Sequence, residues 1–230
     1  MPEQENTPRA DFIHLHNHSH YSMLDGAMSV NTILDMAVAD GQDAIALTDH
    51  GNMFGAIEFY TKAQQKGIKP IVGCEVYVAP RHRSDRNEIK SLGVNESAYH
   101  LVLLAANEQG YRNLMKLSSI GYTEGFYRKP RVDMESLAKY RDGLIASTAC
   151  LAGEVPNKIL RGDEEGAYEK ANQMAEIFGK ENFYLELQDH GIAEQKEVNQ
   201  TILDFAKRSG LSLLATNDAH YATREDAYAH

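Results

Sequence analysis

Short apolar runs rich in β-branched residues recur along the chain and dominate its hydrophobic pattern. Each is too short for a helix, which is typical of a buried strand. The predicted strands cover residues 12–15, 44–47, 71–78, 101–105, 144–146, 183–187 and 211–215. Segments with helical spacing lie between them, at residues 30–39, 55–65, 166–178 and 194–209. Glycines at positions 41, 67 and 210 stand where a helix must end before the next strand begins.

Alternation of strands and helices along the whole chain predicts an α/β fold with a parallel sheet and helices outside it. A closed barrel and an open doubly wound sheet both satisfy this pattern. Polar residues follow several different strands, which is where barrels place their sites. An open sheet would concentrate its site at one switch point. We therefore expect a barrel, with loops at the polar segments 81–97 and 121–130.

Composition limits the class of protein. The 230 residues are 43% hydrophobic and 24% charged, close to an ordinary globular domain. No apolar run approaches the roughly 20 residues of a membrane span, and the N-terminus lacks the order of a secretory signal. With only Cys74 and Cys150, no disulfide framework is expected, so a cytoplasmic location is predicted. The formal charge of −10 argues against gripping nucleic acid by bulk electrostatics.

Histidines are concentrated near the N-terminus. Four of the 10 fall within seven residues, namely His14, His16, His18 and His20. His14 and His16 end the first predicted strand, where residues i and i+2 share a face and could bind one metal ion. The alternative is a pair of partly buried histidines hydrogen-bonded to their neighbours.

Other residues able to bind a metal lie at further strand ends. They are His50, Glu75, His100, Cys150, Asp218 and His220. Glu75 stands in an otherwise apolar strand, where a carboxylate costs several kcal/mol unless it is paired or ligated. Each residue alone could be a helix cap or a core residue, but their joint occurrence favours a multinuclear metal site. Imidazole, carboxylate and one thiolate suit zinc, with iron or manganese as alternatives. Two or three ions are expected, and such clusters suit phosphoester hydrolysis by a metal-bound water.

Several motifs in order resemble one known family. They are HLHNHSHYSMLDG, TDHGNMFGAIEFY, GCEVYV, YHLVLLA, GFYRKPRVD, TACLAGEVP, ELQDHG and TNDAHY. This series resembles the PHP (polymerase and histidinol phosphatase) domain family, and within it the N-terminal domain of bacterial C-family replicative polymerases, the DNA polymerase III alpha subunits. The resemblance implies an N-terminal tail over residues 1–10 and a PHP domain over residues 11–230. The chain stops where a helix looks unfinished, so we expect a fragment of a longer polymerase.

The resemblance also implies a distorted (β/α)7 TIM-like barrel with three metal ions. One ion would be bound by His14, His16, Glu75 and Asp218, and a second by Glu75, His100 and Cys150. The third would take Asp25, His50 and His220. Asp49 is expected behind the ligands, orienting one of them, and His18 and His20 are expected outside the ligand set.

Further roles follow from the same resemblance. His190 is a candidate for contacting phosphate or protonating the leaving oxygen. Arg128, Lys129 and Arg131 are candidates for guiding a DNA strand, unless they form a solvated loop or dock on another part of the polymerase.

The implied activity is metal-dependent 3′→5′ exonuclease proofreading in DNA replication. The implied partners are a DNA 3′ end, the remaining polymerase domains and other replisome subunits, with no membrane. The alternatives are a non-catalytic, metal-stabilised module of the polymerase and a small-molecule phosphoesterase of the histidinol-phosphatase type. Pyrophosphate cleavage would need the same clustered ions.

Overall fold

A computed structural model describes residues 11–86, 89–91 and 94–228. The tail predicted at residues 1–10 lies outside them. The helices are α1 (Val30–Ala39), α2 (Ala56–Gln65), α3 (Glu108–Thr123), α4 (Met134–Lys139), α5 (Glu154–Leu160), α6 (Glu164–Phe178) and α7 (Ala193–Ser209). The strands are β1 (Ala44–Leu47), β2 (Lys69–Val78), β3 (Ile89–Ser91), β4 (Val94–Glu96), β5 (Tyr99–Ala105), β6 (Arg131–Val132), β7 (Leu144–Ser147), β8 (Phe183–Leu187) and β9 (Ser212–Ala215). Short 3₁₀ turns occupy Lys180–Asn182 and Arg224–Tyr228.

One curled sheet carries the fold, with strands in the order β1-β2-β5-β7-β8-β9 and β6 paired to β2. The expected α/β class and distorted TIM-like barrel are confirmed. The expectation that every strand is parallel is wrong, because β5 runs antiparallel to both β2 and β7. No described helix links β2 to β5, and an antiparallel pair needs no helical crossover.

Residues 14–19 connect the two ends of the sheet. On one side the amides of Ala46 and Thr48 donate to the carbonyls of His14 and Asn17. On the other side Ala219 donates to His16 and accepts from His18. Residues 12–15, which the sequence predicts as a strand, therefore form no regular ladder of strand hydrogen bonds. The residues that follow them nevertheless close the barrel at one end.

Two apolar layers surround the sheet. The larger one packs α3, α5, α6 and α7 against β2, β5, β7 and β8, with Leu103, Leu114, Phe183 and Ile202 fully enclosed. The smaller one packs α1 and α2 against β1. Burial of these side chains stabilises the barrel wall on which the polar residues of the site are mounted.

Several elements of the structure are not predicted by the hydrophobic pattern, namely helices α3, α4 and α5, strand β6 and the β3–β4 hairpin. Helix α3 is not predicted, because Gly110 and Gly121 lower its helix propensity. A Cβ on Gly110 would lie 1.8 Å from the carbonyl oxygen of Gly143, so tertiary packing requires this glycine. The predicted loop 81–97 contains the β3–β4 hairpin. Among the described residues, no helix is both long and apolar enough to cross a membrane.

Candidate metal centre

Imidazoles, carboxylates and one thiol meet at the end of the barrel that residues 14–19 close. They come from seven parts of the chain: the closing segment formed by residues 14–19, the loop before α1, the end of β1, strand β2, the start of β5, the turn after β7 and the turn after β9. The side chains are His16, His18, Asp25, His50, Glu75, His100, Cys150, Asp218 and His220.

The structure does not bring His14 into this centre. The amide of Ala46 in β1 donates to the carbonyl of His14, and the amide of Thr48 donates to the carbonyl of Asn17. A step of two residues along β1 therefore corresponds to a step of three residues along the closing segment. This extra residue is a β-bulge, which shifts the alternation of side chains. His14 consequently lines a cavity outside the barrel wall, beside Met28 and Asp40.

His18 takes the place expected for His14. It is fully buried, and its Nε2 lies 3.0 Å from Asp218 Oδ1 and 3.6 Å from Glu75 Oε2. The expectation that His18 lies outside the ligand set does not fit this geometry. After the bulge, His16 and His18 form the i, i+2 pair that faces the centre. The side-chain amide of Asn17 fixes the bulge by donating to the carbonyls of His14 and Ala46, at 3.1 Å each.

The orientation of His16 is set by Glu186, a buried carboxylate on β8. His16 Nδ1 donates to Glu186 Oε1 at 2.8 Å, which turns Nε2 toward Glu75 and Asp218 at 3.5 and 3.2 Å. Glu186 is itself held by the hydroxyls of Ser147 and Thr216. A carboxylate behind a histidine fixes its tautomer and raises its strength as a ligand.

A second carboxylate, Asp49, orients His18 through Ser22. The Ser22 hydroxyl donates to Asp49 Oδ1 at 2.8 Å, so its oxygen is left to accept from His18 Nδ1 at 3.0 Å. The same oxygen accepts the His50 amide at 3.1 Å. Asp49 is fixed in turn by the amide and hydroxyl of Ser19. The structure thus places Asp49 behind His18, to which the Ser22 hydroxyl links it.

Glu75 lies at the middle of the centre. Its Oε1 is 2.8 Å from His100 Nδ1, and its Oε2 is 2.5 Å from His50 Nδ1. His100 reaches it because β5 is antiparallel to β2: the start of β5 meets the far end of β2, in the register that pairs His100 with Tyr77. Cys150 Sγ lies 3.7 Å from the same nitrogen of His100. Glu75 therefore touches histidines from two sides.

The outer edge of the centre is formed by Asp25, His50 and His220. His50 Nε2 lies 3.3 Å from Asp25 Oδ2 and 3.4 Å from His220 Nε2. His220 Nδ1 donates to the backbone carbonyl of Asp218 at 2.8 Å, so its Nε2 is the nitrogen that points inward. Asp218 has φ = 48°, a left-handed conformation that costs about 1–3 kcal/mol in a residue with a side chain.

The pKa values of the two buried histidines His16 and His18 are shifted in opposite directions. Burial alone would lower the pKa of His16, but Asp218, Glu186 and Glu75 outweigh it and raise that pKa well above its usual range. Burial lowers the pKa of His18 to about 4, so this imidazole stays neutral and able to bind a metal. The carboxylates that stabilise a proton on His16 would equally stabilise a divalent cation.

Burial also raises the pKa of the Cys150 thiol, and the charges of Glu75 and Asp218 raise it further. A cation at the centre would reverse this effect, because a coordinated thiol loses its proton.

The donor set fits metal ions. Several buried side-chain atoms of the described residues make no hydrogen bond of good geometry. Five of them face the same space and lie against one another: His16 Nε2, His18 Nε2, His50 Nδ1, Glu75 Oε2 and Asp218 Oδ1. Buried polar atoms without good hydrogen bonds are costly, so a cluster of them is typical of residues that bind a metal ion. Three overlapping groups have atoms within 4.8 Å of one another, namely His16–His18–Glu75, His50–Glu75–His100 and His18–His50–His220.

His190 does not point into the centre. Its Nε2 donates to the carbonyl of Asn217 at 2.7 Å, and its Nδ1 accepts from Gln195 Nε2 at 2.9 Å. Both ring nitrogens are therefore engaged, which leaves neither to contact phosphate or protonate a leaving group. His190 instead braces the residue before Asp218.

The three basic candidates have different surroundings. Arg131 is buried, and its guanidinium donates to the carbonyls of Gly125, Ser97, Arg83 and Asp85. It joins loops and cannot guide a DNA strand. Arg128 is exposed, and Lys129 lies against Tyr77 with Nζ 3.3 Å from the hydroxyl.

Glu186 is a functional residue that the sequence pattern did not single out. The signal was present, because Glu186 is a carboxylate in the apolar run FYLEL, just as Glu75 is in GCEVYV. Both are almost completely buried. A charged residue inside a predicted core strand therefore indicates either a ligand or the carboxylate behind one.

Comparison with protein families and curated proteins gives matches over most of the chain. The PHP domain model matches residues 14–190. The chain is 50% identical to DNA polymerase III subunit alpha of Treponema pallidum, covering 96% of this chain and 19% of that protein. It is 47% identical to the same subunit of Thermus aquaticus, covering 95% of this chain and 18% of that protein. The chain thus spans about a fifth of the length of these curated relatives.

Solved structures share the fold at low sequence identity. One is a two-domain protein containing a predicted PHP-like metal-dependent phosphoesterase from Bacteroides vulgatus, with a TM-score of 0.53 and 17% identity over 96% of this chain and 56% of that one. Another is an amidohydrolase from Chromobacterium violaceum with bound sulfate, with a TM-score of 0.53 and 18% identity over 90% of this chain and 87% of that one.

Proposed function

Because the chain belongs to the PHP domain family, in the branch carried by DNA polymerase III alpha subunits, we propose that it is a metal-dependent 3′→5′ exonuclease that removes nucleotides from a DNA 3′ end during replication. The observation that carries this proposal is the convergence around Glu75 of buried imidazole and carboxylate atoms that lie against one another without well-formed hydrogen bonds. Three overlapping donor groups that share His18, His50 and Glu75 suit clustered ions rather than a single one.

This centre would hold clustered divalent cations, which would supply a nucleophile from water at neutral pH and neutralise charge on the oxygens of a phosphodiester. The ligands we propose are His16, His18, Asp25, His50, Glu75, His100, Cys150, Asp218 and His220. Glu75, which touches His50 and His100 with different oxygens, would help to hold the ions from the middle of the centre.

The residues behind the ligands have separate tasks. Glu186 holds His16 with Nε2 inward, and the Asp49–Ser22 pair does the same for His18. His190 braces Asn217 and thereby the turn that carries Asp218 and His220. These contacts hold the donor atoms in place before any ion binds, which lowers the cost of assembling the centre.

We propose zinc as the resident metal, with manganese and iron as the other candidates. Five imidazoles and a thiolate are ligands that zinc prefers, whereas an oxygen-only site would favour magnesium or calcium. Elemental analysis of protein purified without chelators identifies the metal, and two or three equivalents per chain are expected.

The parent protein is proposed to be a replicative DNA-directed DNA polymerase of the bacterial cytoplasm. Its remaining domains, a DNA 3′ end and other replisome subunits are the proposed partners. The support is the identity to polymerase subunits over nearly the whole of this chain.

The test of the exonuclease is digestion of 3′-labelled single-stranded and mismatched primers by the metal-loaded chain. We expect stepwise release of nucleotides, lost in Asp218→Asn and retained in His14→Gln, whose imidazole lies outside the centre. A chain with its full metal content that releases no nucleotide with zinc, manganese or iron present would contradict the proposal.

A second candidate is a non-catalytic module in which the ions only stabilise the barrel. The buried donor atoms favour it, because they need cations to be satisfied whether or not hydrolysis occurs. Under this alternative Asp218→Asn lowers the melting temperature without any hydrolysis to lose. Loss of hydrolysis with unchanged stability argues for the enzyme instead.

A further inference from the structure

Three exposed aromatic rings form a row on the surface, which we call the aromatic strip: Phe54, Tyr122 and Phe126. Their exposed fractions are 58%, 41% and 51%. The ring centroids of Phe54 and Tyr122 are 6.1 Å apart, and those of Tyr122 and Phe126 are 6.2 Å apart. The interplanar angles are 36° and 24°, so the planes of neighbouring rings are only moderately inclined to each other. Exposed aromatics are common singly, but a row of three is typical of a binding surface.

The strip is attached rigidly to the metal centre. Phe54 follows His50 by four residues, and the turn between them is fixed by Asn52, whose amide donates to the His50 carbonyl and whose oxygen accepts the Phe54 amide. On the other side Pro130 is wedged between Gly51 and Gly121. A Cβ on either glycine would lie 2.7 or 3.1 Å from that proline. The strip therefore begins at the mouth of the centre.

A cation lies between the strip and the centre. Lys129 Nζ lies 4.9 Å from the centroid of the Tyr77 ring, and that ring lies 6.0 Å from the ring of His50. Arg128 follows the strip in the same loop and is exposed. The nearest acid at the end of α3, Glu124, is paired with Arg83 at 2.8 Å. Lys129 thus places a positive charge beside the outer edge of the centre.

We propose that the aromatic strip stacks the bases of a single-stranded nucleic acid and that Lys129 contacts its backbone as the 3′ end enters the metal centre. The direction of the strand rests on the proposed exonuclease function. Every base has a π-face, so stacking on Phe54, Tyr122 and Phe126 would not depend on sequence. The ammonium group of Lys129 can pair with a backbone phosphate. A strand held mainly by stacking does not require the extensive basic surface that a net charge of −10 argues against.

The test measures binding separately from hydrolysis. A 5′-fluorescein-labelled oligothymidylate of 12 nucleotides is titrated with the 230-residue chain in EDTA, and anisotropy gives the dissociation constant. We expect Phe54→Ala and Tyr122→Ala each to weaken binding by at least about 10-fold. Tyr122→Phe should bind as the wild type does, because it keeps the ring. Lys129→Gln should reduce the salt slope of log K by about one.

Tyr60→Ala is the matched control. Tyr60 is an exposed aromatic of α2, the helix that follows Phe54, but it lines a cavity with Lys69 and Leu104 that contains no residue of the strip. Its removal should leave the dissociation constant unchanged, and all variants should keep the wild-type melting temperature.

The two proposals fail in different ways. Wild-type oligonucleotide binding by Phe54→Ala and Tyr122→Ala overturns the stacking role, even where 3′ hydrolysis is observed. Strip-dependent binding without hydrolysis supports the stacking role and contradicts the exonuclease. Loss of association with another polypeptide, with oligonucleotide binding unchanged, also overturns the stacking role.

Discussion

Glu186 shows how one buried side chain sets the chemistry of another. It has four hydrogen-bonding partners, among them His16 Nδ1 at 2.8 Å and Gln188 Nε2 at 3.0 Å. The charge of His16 keeps the pKa of Glu186 low even though burial opposes ionisation. The same logic applies to Asp49 behind Ser22 and His18. In both cases a polar group binds the outer nitrogen of the imidazole, and this contact leaves the other nitrogen pointing into the centre.

Glu186→Gln tests this arrangement, since it keeps the size of the side chain and removes its charge. We expect metal affinity to fall by roughly 10- to 100-fold, because an outer carboxylate strengthens its histidine as a ligand. Competition with a fluorescent zinc chelator measures the change. The control is Glu181→Gln, an exposed carboxylate of the turn before β8. Equal affinities in the two variants would show that Glu186 does not act on the metal.

His14→Gln and His18→Gln form a pair that tests the bulge. The first should retain every metal equivalent, because His14 faces the outer cavity. The second should lose at least one, because His18 contributes to two of the three donor groups. Elemental analysis of both purified variants decides between them. Metal loss in His14→Gln alone would show that the side chains alternate without the bulge.

At the scale of elements, departures from regular geometry are what bring ligands together. The bulge between His14 and Asn17 turns His18 inward, and the antiparallel direction of β5 brings its first residues to the end of β2. The turns after β7 and β9 each contain a left-handed residue, Ala149 (φ = 58°) and Asp218 (φ = 48°), directly before or at a proposed ligand. These backbone conformations persist because the surrounding contacts hold the two residues in place and offset the strain.

Gly51 tests how tightly the turn after β1 is held. It has φ = 62°, and a Cβ there would lie 2.7 Å from Pro130 Cγ and 2.9 Å from the Tyr77 ring. Gly51→Ala should therefore lower the free energy of unfolding by about 2–4 kcal/mol, the sum of a strained φ and overpacking. Urea denaturation followed by circular dichroism measures it.

The matched control is Gly67→Ala. Gly67 has φ = 72°, but a Cβ there would have nothing within 4 Å. Gly67→Ala should therefore lower the free energy of unfolding only by the backbone strain, about 1 kcal/mol. Equal losses in both variants would mean that contacts with Pro130 and Tyr77 contribute nothing.

At the scale of the whole molecule, the metal centre lies where the barrel closes. The first described segment and the turn after the last strand meet there, through hydrogen bonds of Ala219 with His16 and His18. Ligands from His16 to His220 span almost the whole described chain. Ion binding should therefore stabilise the entire barrel rather than one loop.

Removal of metal tests this coupling. A chelator that strips the ions should lower the melting temperature by roughly 5–10 °C, since saturation at about 100 times the dissociation constant contributes about 2.7 kcal/mol. Scanning calorimetry before and after chelation, followed by addition of zinc, measures the loss and its recovery. An unchanged melting temperature in protein shown to have lost its ions would contradict the coupling.

Much of this protein follows from residue types and their order. Alternating apolar runs predict the α/β barrel, because each strand must bury its face against a helix. Eight of the nine expected ligands, from His16 to His220, are brought together in the structure. Seven of them are singled out by their chemistry and their positions in or after strands, whereas Asp25 is expected only from the resemblance to the PHP family.

Tertiary structure alone decided the remainder. Whether His14 or His18 faces inward depends on a bulge fixed by Ala46 and Thr48, about 30 residues away along the chain. His190 and Arg131 lie in polar segments that suggest substrate contact, yet their partners are backbone carbonyls of distant loops. The sequence by itself therefore determines which chemistry is available. The direction in which each side chain points depends on hydrogen bonds to distant parts of the chain, and only the folded barrel sets those.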